Sequence, residues 1–196
     1  MAITFVSFEG IDGAGKTTLI REVHELLRMS RNVYSRYAPS WRDDVTRRSE
    51  VDSLHPRLQI FEYIQDFKFL QEKFAKLPNN IVVLQDRWAD STNVYQNIPP
   101  NDIEAPYLNG VVHPDITFYL QCFPITAFDR LTAKGETPDL EELQNLSDRY
   151  TKFMAEESFR KHRLIVPIPW HFDLEQQIDL VCYHIRAFEL KRSTTS

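Results

Sequence analysis

The sequence predicts an α/β fold: a doubly wound, mainly parallel five-stranded sheet with helices on both faces. Three observations predict it. Short apolar runs alternate with amphipathic stretches from end to end, the mark of strand–helix–strand crossovers. Ile81–Gln85 is continuously apolar, as a strand covered on both faces must be. The first apolar run leads directly into a glycine-rich turn and then an amphipathic stretch. No linker, repeat or low-complexity block interrupts the 196 residues, so one domain spanning 1–196 is expected.

Taken in order, Ala2–Phe8 reads as a buried first strand. Lys16–Met29 reads as a helix with Leu19, Ile20, Val23, Leu26 and Leu27 on one face. Arg31–Tyr37 is a short second strand stopped by Pro39. Ser40–Leu54 is polar and is expected to be a loop with a short helix. Pro56–Leu77 is a long helix whose apolar face is expected to run Leu58, Phe61, Ile64, Phe67, Leu70, Phe74 and Leu77. After the break at Pro78-Asn79-Asn80, Ile81–Gln85 is a strand ending at Asp86. A helix over Arg87–Gln96 stops at Pro99-Pro100. Then follow a strand over Asp115–Gln121, a helix over Pro124–Ala133, a polar loop and a helix over Glu141–His162. Leu164–Pro169 is the last strand. Asp173–Leu190 is the last helix, with Asp173 as N-cap and a frayed tail from Lys191.

The turn after the first strand is Gly10-Ile11-Asp12-Gly13-Ala14-Gly15-Lys16-Thr17-Thr18, which meets the spacing Gly-x-x-x-x-Gly-Lys-Thr. Glycines let successive N–H groups turn inward around phosphate oxygens, and the following helix aims its first N–H groups at the same anion. In that setting Lys16 reaches the β- and γ-phosphates of a nucleotide and the Thr17 hydroxyl ligates Mg²⁺. Of only 5 glycines in the chain, three stand in this turn, so the turn needs their backbone freedom. Asp86 ends a buried strand beside it and is placed to hold the Mg²⁺ through water; otherwise it is an N-cap or an ion-pair partner of Arg87. Arg36 and Arg87 both follow strand ends, and their planar forks match a phosphate. Two such arginines point to a second phosphate site and to transfer between two nucleotides rather than hydrolysis.

Composition excludes other classes. A net charge of −5 gives no general footprint for nucleic acid. No apolar run is long enough to span a bilayer, and no basic-then-apolar leader opens the sequence. Cys122 and Cys182, the only cysteines, suit a reducing compartment and form no metal cluster. A soluble cytoplasmic protein with no membrane partner is expected.

Phe8-Glu9-Gly10-Ile11-Asp12-Gly13-Ala14-Gly15-Lys16-Thr17-Thr18 resembles the P-loop of thymidylate kinases. Asp86-Arg87-Trp88 followed by Ser91 and by Tyr95-Gln96 resembles that family's second signature, and His113-Pro114-Asp115 its fourth-strand opening. The resemblance covers nearly the whole chain and implies a P-loop nucleoside monophosphate kinase fold and transfer of the γ-phosphoryl group of ATP to dTMP, with Mg²⁺. It implies that Asp12 contacts the deoxyribose 3′-hydroxyl, that Arg36 and Arg87 hold the acceptor phosphate, and that Phe61 stacks on the pyrimidine. Tyr95 would exclude a 2′-hydroxyl, while Ser91, Thr92, Gln96 and Tyr150 would line the nucleoside pocket. Homodimers packed through helices are usual in the family, and residues 56–77 are a candidate contact.

Two departures stand out. The lid loop, about 132–142, has only Arg130 and Lys134 as nearby cations, with Arg149 further on. Four residues after Phe61, where the family has arginine, stands Gln65, which can donate to thymine or accept from cytosine; Asp66 adjoins it. A kinase for another or a modified pyrimidine deoxynucleotide is therefore an alternative. A regulatory P-loop NTPase is a more distant one, and no Asn-Lys-x-Asp guanine motif supports it.

Overall fold

The computed structural model describes residues 3–41, 43–99, 102, 104–156 and 164–195. Among them the elements are β1 (Thr4–Glu9), α1 (Lys16–Leu27), β2 (Asn32–Tyr37), α2 (Val45–Asp52), α3 (Pro56–Phe74), β3 (Ile81–Asp86) and α4 (Ala89–Tyr95). These are followed by β4 (Ile116–Leu120), α5 (Pro124–Thr132), α6 (Leu140–Ala155), β5 (Leu164–Ile168) and α7 (Leu174–Thr195). The strands form one sheet in the order β2-β3-β1-β4-β5, and every neighbouring pair is parallel. Phe8 of β1 lies between Asp86 of β3 and Phe118 of β4. All carboxyl ends therefore share one edge, where the turns after β1, β3 and β4 meet.

Period-two alternation divides the core between the faces of the sheet. Val6, Phe8, Val82, Leu84, Ile116 and Phe118 pack with Leu19 and Val23 of α1 and Val181 and Ile185 of α7. Phe5, Ile81 and Val83 pack with Ile60, Ile64, Phe67, Leu70 and Phe74 of α3, together with Trp88. All six residues of β1 and of β3 are buried, which is why both are largely apolar, and their buried polar members Ser7, Glu9 and Gln85 are hydrogen-bonded. Short polar side chains start the later helices. The Asp139 carboxylate accepts from the N–H groups of Glu141 and Glu142. Asp173 accepts from Gln176 N–H while the Gln176 side chain accepts from Asp173 N–H, a capping box.

The structure corrects several expectations. Leu26 is 44% exposed instead of joining the buried face of α1. Leu58 and Phe61 are 55% and 61% exposed instead of joining the α3 apolar face. A helix turns roughly 100° per residue, so a series spaced by three drifts around it, and Leu58 points about 180° from Phe67. The helix after β3 begins at Ala89, because Arg87 has φ 66° and Trp88 is its extended N-cap. The last helix does not fray at Lys191 but runs to Thr195. There Arg192 donates to Ile3 O and Thr4 Oγ1, and Glu189 pairs with Arg31, tying the final turns to the start of the sheet. Ala2, Pro100 and the 157–162 part of the helix expected over Glu141–His162 lie outside the described residues.

Candidate functional site

The glycine turn sits at the carboxyl edge, held between β4 and α5. A Cβ on Gly13, whose φ is 78°, would lie 2.7 Å from Ala127 O, so only glycine lets the turn rest on α5. Gly15, at φ 98°, is the N-cap of α1 and points the helix start into the turn. Lys16 is buried and donates through Nζ to Gly10 O at 2.9 Å and Ile11 O at 2.8 Å. Burial and the nearby Arg87 charge bring its ammonium down to about 8. Thr17 Oγ1 donates to Asp86 Oδ2 at 2.7 Å, joining the ends of the two motifs. Arg130 of α5 donates to Gly13 O at 3.1 Å, whereas Lys134 is exposed in the 133–139 connection.

Arg87 organises the other half of the site. Its positive φ is unusual for a residue with a side chain and costs about 1–2 kcal/mol. Neighbours hold the turn in place. Arg87 N–H donates to Phe8 O, Gln85 Nε2 donates to the carbonyls of Asp86 and Arg87, and Trp88 N–H donates to Glu9 Oε1 at 2.7 Å. The guanidinium then reaches Asp12 Oδ1 at 2.6 Å, Tyr95 Oη at 2.9 Å, Ser91 Oγ at 3.1 Å and Tyr150 Oη at 3.2 Å. Tyr95 Oη also donates to Asp12 Oδ2 at 2.9 Å. Burial alone would raise the Asp12 carboxyl, but Arg87, Lys16 and the Tyr95 hydroxyl hold it well below the usual carboxylate range.

Glu9 lies beneath this network, fully buried, accepting from Trp88 N–H and bonded to the Ser91 and Tyr150 hydroxyls. Burial and the neighbouring Asp90 carboxyl push it up to about 8. Sequence reasoning missed Glu9, although a carboxylate closing an apolar strand is the same signal that singled out Asp86.

A cleft of about 490 Å³ opens beside Arg87. Asp12, Ser91, Thr92, Tyr95 and Gln96 line it; Tyr150 lies buried behind Arg87. Arg36, Phe61 and Gln65 do not line it. Arg36 stands on β2 within electrostatic reach of Asp66, and Gln65 is exposed. The α3 residues facing the cleft are Gln59, Tyr63 and Phe67, spaced by four and so nearly in line along the helix. Tyr63 packs with Trp41, ring centroids 5.5 Å apart. One turn after Tyr63 stands Phe67, not Gln65, so the side chain at that place in the cleft is apolar. Asp66 does not reach the cleft either, because its carboxylate accepts from Ser40 N–H and Oγ. Arg48 of α2 is a cation on the cleft wall that the sequence did not single out.

A glycine turn with a buried lysine, and an arginine-centred cleft across β1 and β3, define a P-loop kinase of nucleoside monophosphate type. A family model described as thymidylate kinase matches residues 8–168. The thymidylate kinase of Leptospira borgpetersenii is 29% identical over 172 residues, covering 80% of this chain and 83% of that protein. A probable thymidylate kinase of Sulfurisphaera tokodaii is 30% identical over 167 residues, covering 83% and 85%. The thymidylate kinase of Rickettsia typhi is 27% identical over 144 residues, covering 67% and 70%. The chain belongs to the thymidylate kinase family. Among the described residues no helix is long and apolar enough to cross a membrane.

Proposed function

We propose that the protein transfers the γ-phosphoryl group of ATP to dTMP, giving ADP and dTDP. The observation that carries this reading is the pair of anion-binding devices at one sheet edge, the glycine turn with Lys16 and the cleft around Arg87. An oxygen of the acceptor phosphate attacks the γ-phosphorus, and the bond to the β-phosphate oxygen breaks. Positioning and charge stabilisation do most of the work in such a transfer. Lys16, the N–H groups of Gly10–Thr18 and the start of α1 hold the donor phosphates. Arg87 holds the acceptor phosphate, with Arg48 as a second cation in place of Arg36.

Asp12 receives the 3′-hydroxyl and Tyr95 fills the space of a 2′-hydroxyl. Tyr63, rather than Phe61, supplies the ring for the base, with Ser91, Thr92 and Gln96 around it. The Thr17 hydroxyl and Asp86 carboxylate are hard oxygen donors 2.7 Å apart, which fits Mg²⁺. Thr17 and Asp86 would hold the Mg²⁺ at this place, where it would supply positive charge against the donor phosphates.

The whole chain forms one kinase domain, and the 133–139 connection acts as its lid, bringing Arg130 and Lys134 toward the transferring group. The protein is a cytoplasmic homodimer that binds nucleotides and not nucleic acid. The acidic net charge supports the last point, and the outward side of α3, with Leu58, Phe61 and Phe69 exposed, supports pairing of two copies. The apolar Phe67 favours a second reading, in which the cleft takes a modified pyrimidine deoxynucleotide. Incubation with Mg²⁺-ATP and a panel of deoxynucleoside monophosphates tests both. dTDP is the expected product; a faster reaction with another pyrimidine would favour the second reading, and no diphosphate from any acceptor would reject both.

A further inference from the structure

We infer that Gln59 is a positioning residue that locks the side-chain amide of Gln96, and that this lock selects the pyrimidine edge the cleft accepts. The inference rests on dTMP as the acceptor. Gln59 Nε2 donates to Asp52 O and to Leu54 O, both at 3.0 Å. Turning the amide over would set its oxygen against two carbonyl oxygens, so the orientation is forced by chemistry. Both Gln59 N–H groups are thereby used, and Gln59 Oε1 can only accept. Gln96 Nε2 donates to it at 3.2 Å. The orientation of Gln96 follows from that of Gln59, and ultimately from two backbone carbonyls at the α2–α3 junction.

Gln96 follows Tyr95 at the end of α4 and faces the same cleft as Tyr63 and Gln59. Its oxygen and its remaining N–H are presented in a fixed left-to-right order. Thymine and uracil offer a ring N–H flanked by carbonyls; cytosine offers a bare ring nitrogen beside an amino group. A fixed amide that pairs with N3–H and O4 of the first pattern meets N3 and the 4-amino group of the second with acceptor against acceptor and donor against donor. A free amide would turn over and satisfy either base. Phe67, in the place one turn beyond Tyr63, provides no donor or acceptor, and the Ser91 and Thr92 hydroxyls can donate or accept alike, so a fixed polarity falls to the glutamine pair. Unpaired buried polar groups are what give such discrimination its strength.

The test compares kcat/KM for dTMP, dUMP and dCMP in the wild-type chain and in Gln59→Met. The wild type should prefer dTMP and dUMP over dCMP. Gln59→Met should lower the dTMP:dCMP ratio about tenfold or more, and leave dTMP:dUMP unchanged, because those two bases share the same edge. Mere loosening of the α2–α3 junction would slow all three acceptors together; an unchanged dTMP:dCMP ratio overturns the inference. If Gln59→Met does not fold, Gln96→Met, which leaves the junction intact, must lower the same ratio, and an unchanged ratio again overturns it. A wild type that phosphorylates dCMP as well as dTMP overturns the thymidylate reading on which the inference rests.

Discussion

Glu9→Gln should abolish a pH dependence of stability that the wild type carries. In the folded protein burial and Asp90 push the Glu9 carboxyl to about 8, against an ordinary value of 4.5. The folded state therefore keeps a proton that the unfolded chain releases near pH 4.5. Between those values the unfolded state binds fewer protons, so stability is fully present below pH 4.5 and is lost as pH rises through 8. The slope is about 1.4 kcal/mol per pH unit, and the full loss is on the order of 5 kcal/mol. Glutamine keeps an acceptor for Trp88 N–H, can donate to Ser91, and does not titrate. Urea unfolding at intervals from pH 5 to 8 measures the difference. The window stops at 8 because Lys16, brought down to about 8, adds an opposite slope above it. Wild-type stability should fall across the window while Glu9→Gln stays nearly level, so that the two curves converge or cross. Parallel curves would show that Glu9 is ionised in the fold and that its burial has been misjudged.

The two glycines at the turn should differ in tolerance. Gly13→Ala meets both a positive φ and the Ala127 backbone at 2.7 Å, whereas Gly15→Ala meets a positive φ and open space. Gly13→Ala should lower Tm and raise the KM for ATP several-fold more than Gly15→Ala, and equal effects would refute the packing argument. ATP binding should take up protons near pH 8, because added phosphate charge raises the Lys16 ammonium from its low value. Calorimetry in buffers of different ionisation enthalpy reads the uptake; proton release would contradict it. Asp12→Asn removes the carboxylate that competes for Arg87, so inorganic phosphate should bind more tightly while kcat/KM for dTMP falls through loss of the 3′-hydroxyl contact. Weaker phosphate binding would mean that Asp12 does not compete there.

The order of strands and helices was legible because its signals are local. An apolar run covered on both faces, a glycine turn and a capping aspartate each act within a few residues of where they are read. The carboxyl-edge cleft followed from parallel pairing alone, which places Gly10–Thr18 and Asp86-Arg87 side by side. The end of α7 was not legible. Lys191–Thr195 looks like a polar tail, and what keeps it helical is Arg192 reaching the other end of the chain.

The site was legible where one motif carries both backbone and side chain, and not where helix rotation decides. Asp12, Lys16, Thr17, Arg87, Tyr95 and Gln96 reach the cleft or the turn because the same short segment that bends the chain also bears the group. On α3 the sequence offers a spacing by three through Leu58, Phe61, Ile64, Phe67 and Leu70, and a spacing by four through Gln59, Tyr63 and Phe67. Only the pitch discriminates. Spacing by four advances about 40° per step and keeps Gln59, Tyr63 and Phe67 on the cleft, while spacing by three retreats about 60° and carries Phe61 into solvent. The same rotation turns Gln65 out of the cleft and sets Asp66 under Ser40, whose N–H and hydroxyl both donate to its carboxylate. The cleft face of α3 therefore presents Gln59, Tyr63 and Phe67 and no charged group, and its one amide side chain, Gln59, is already committed to Gln96 and to the α2–α3 junction.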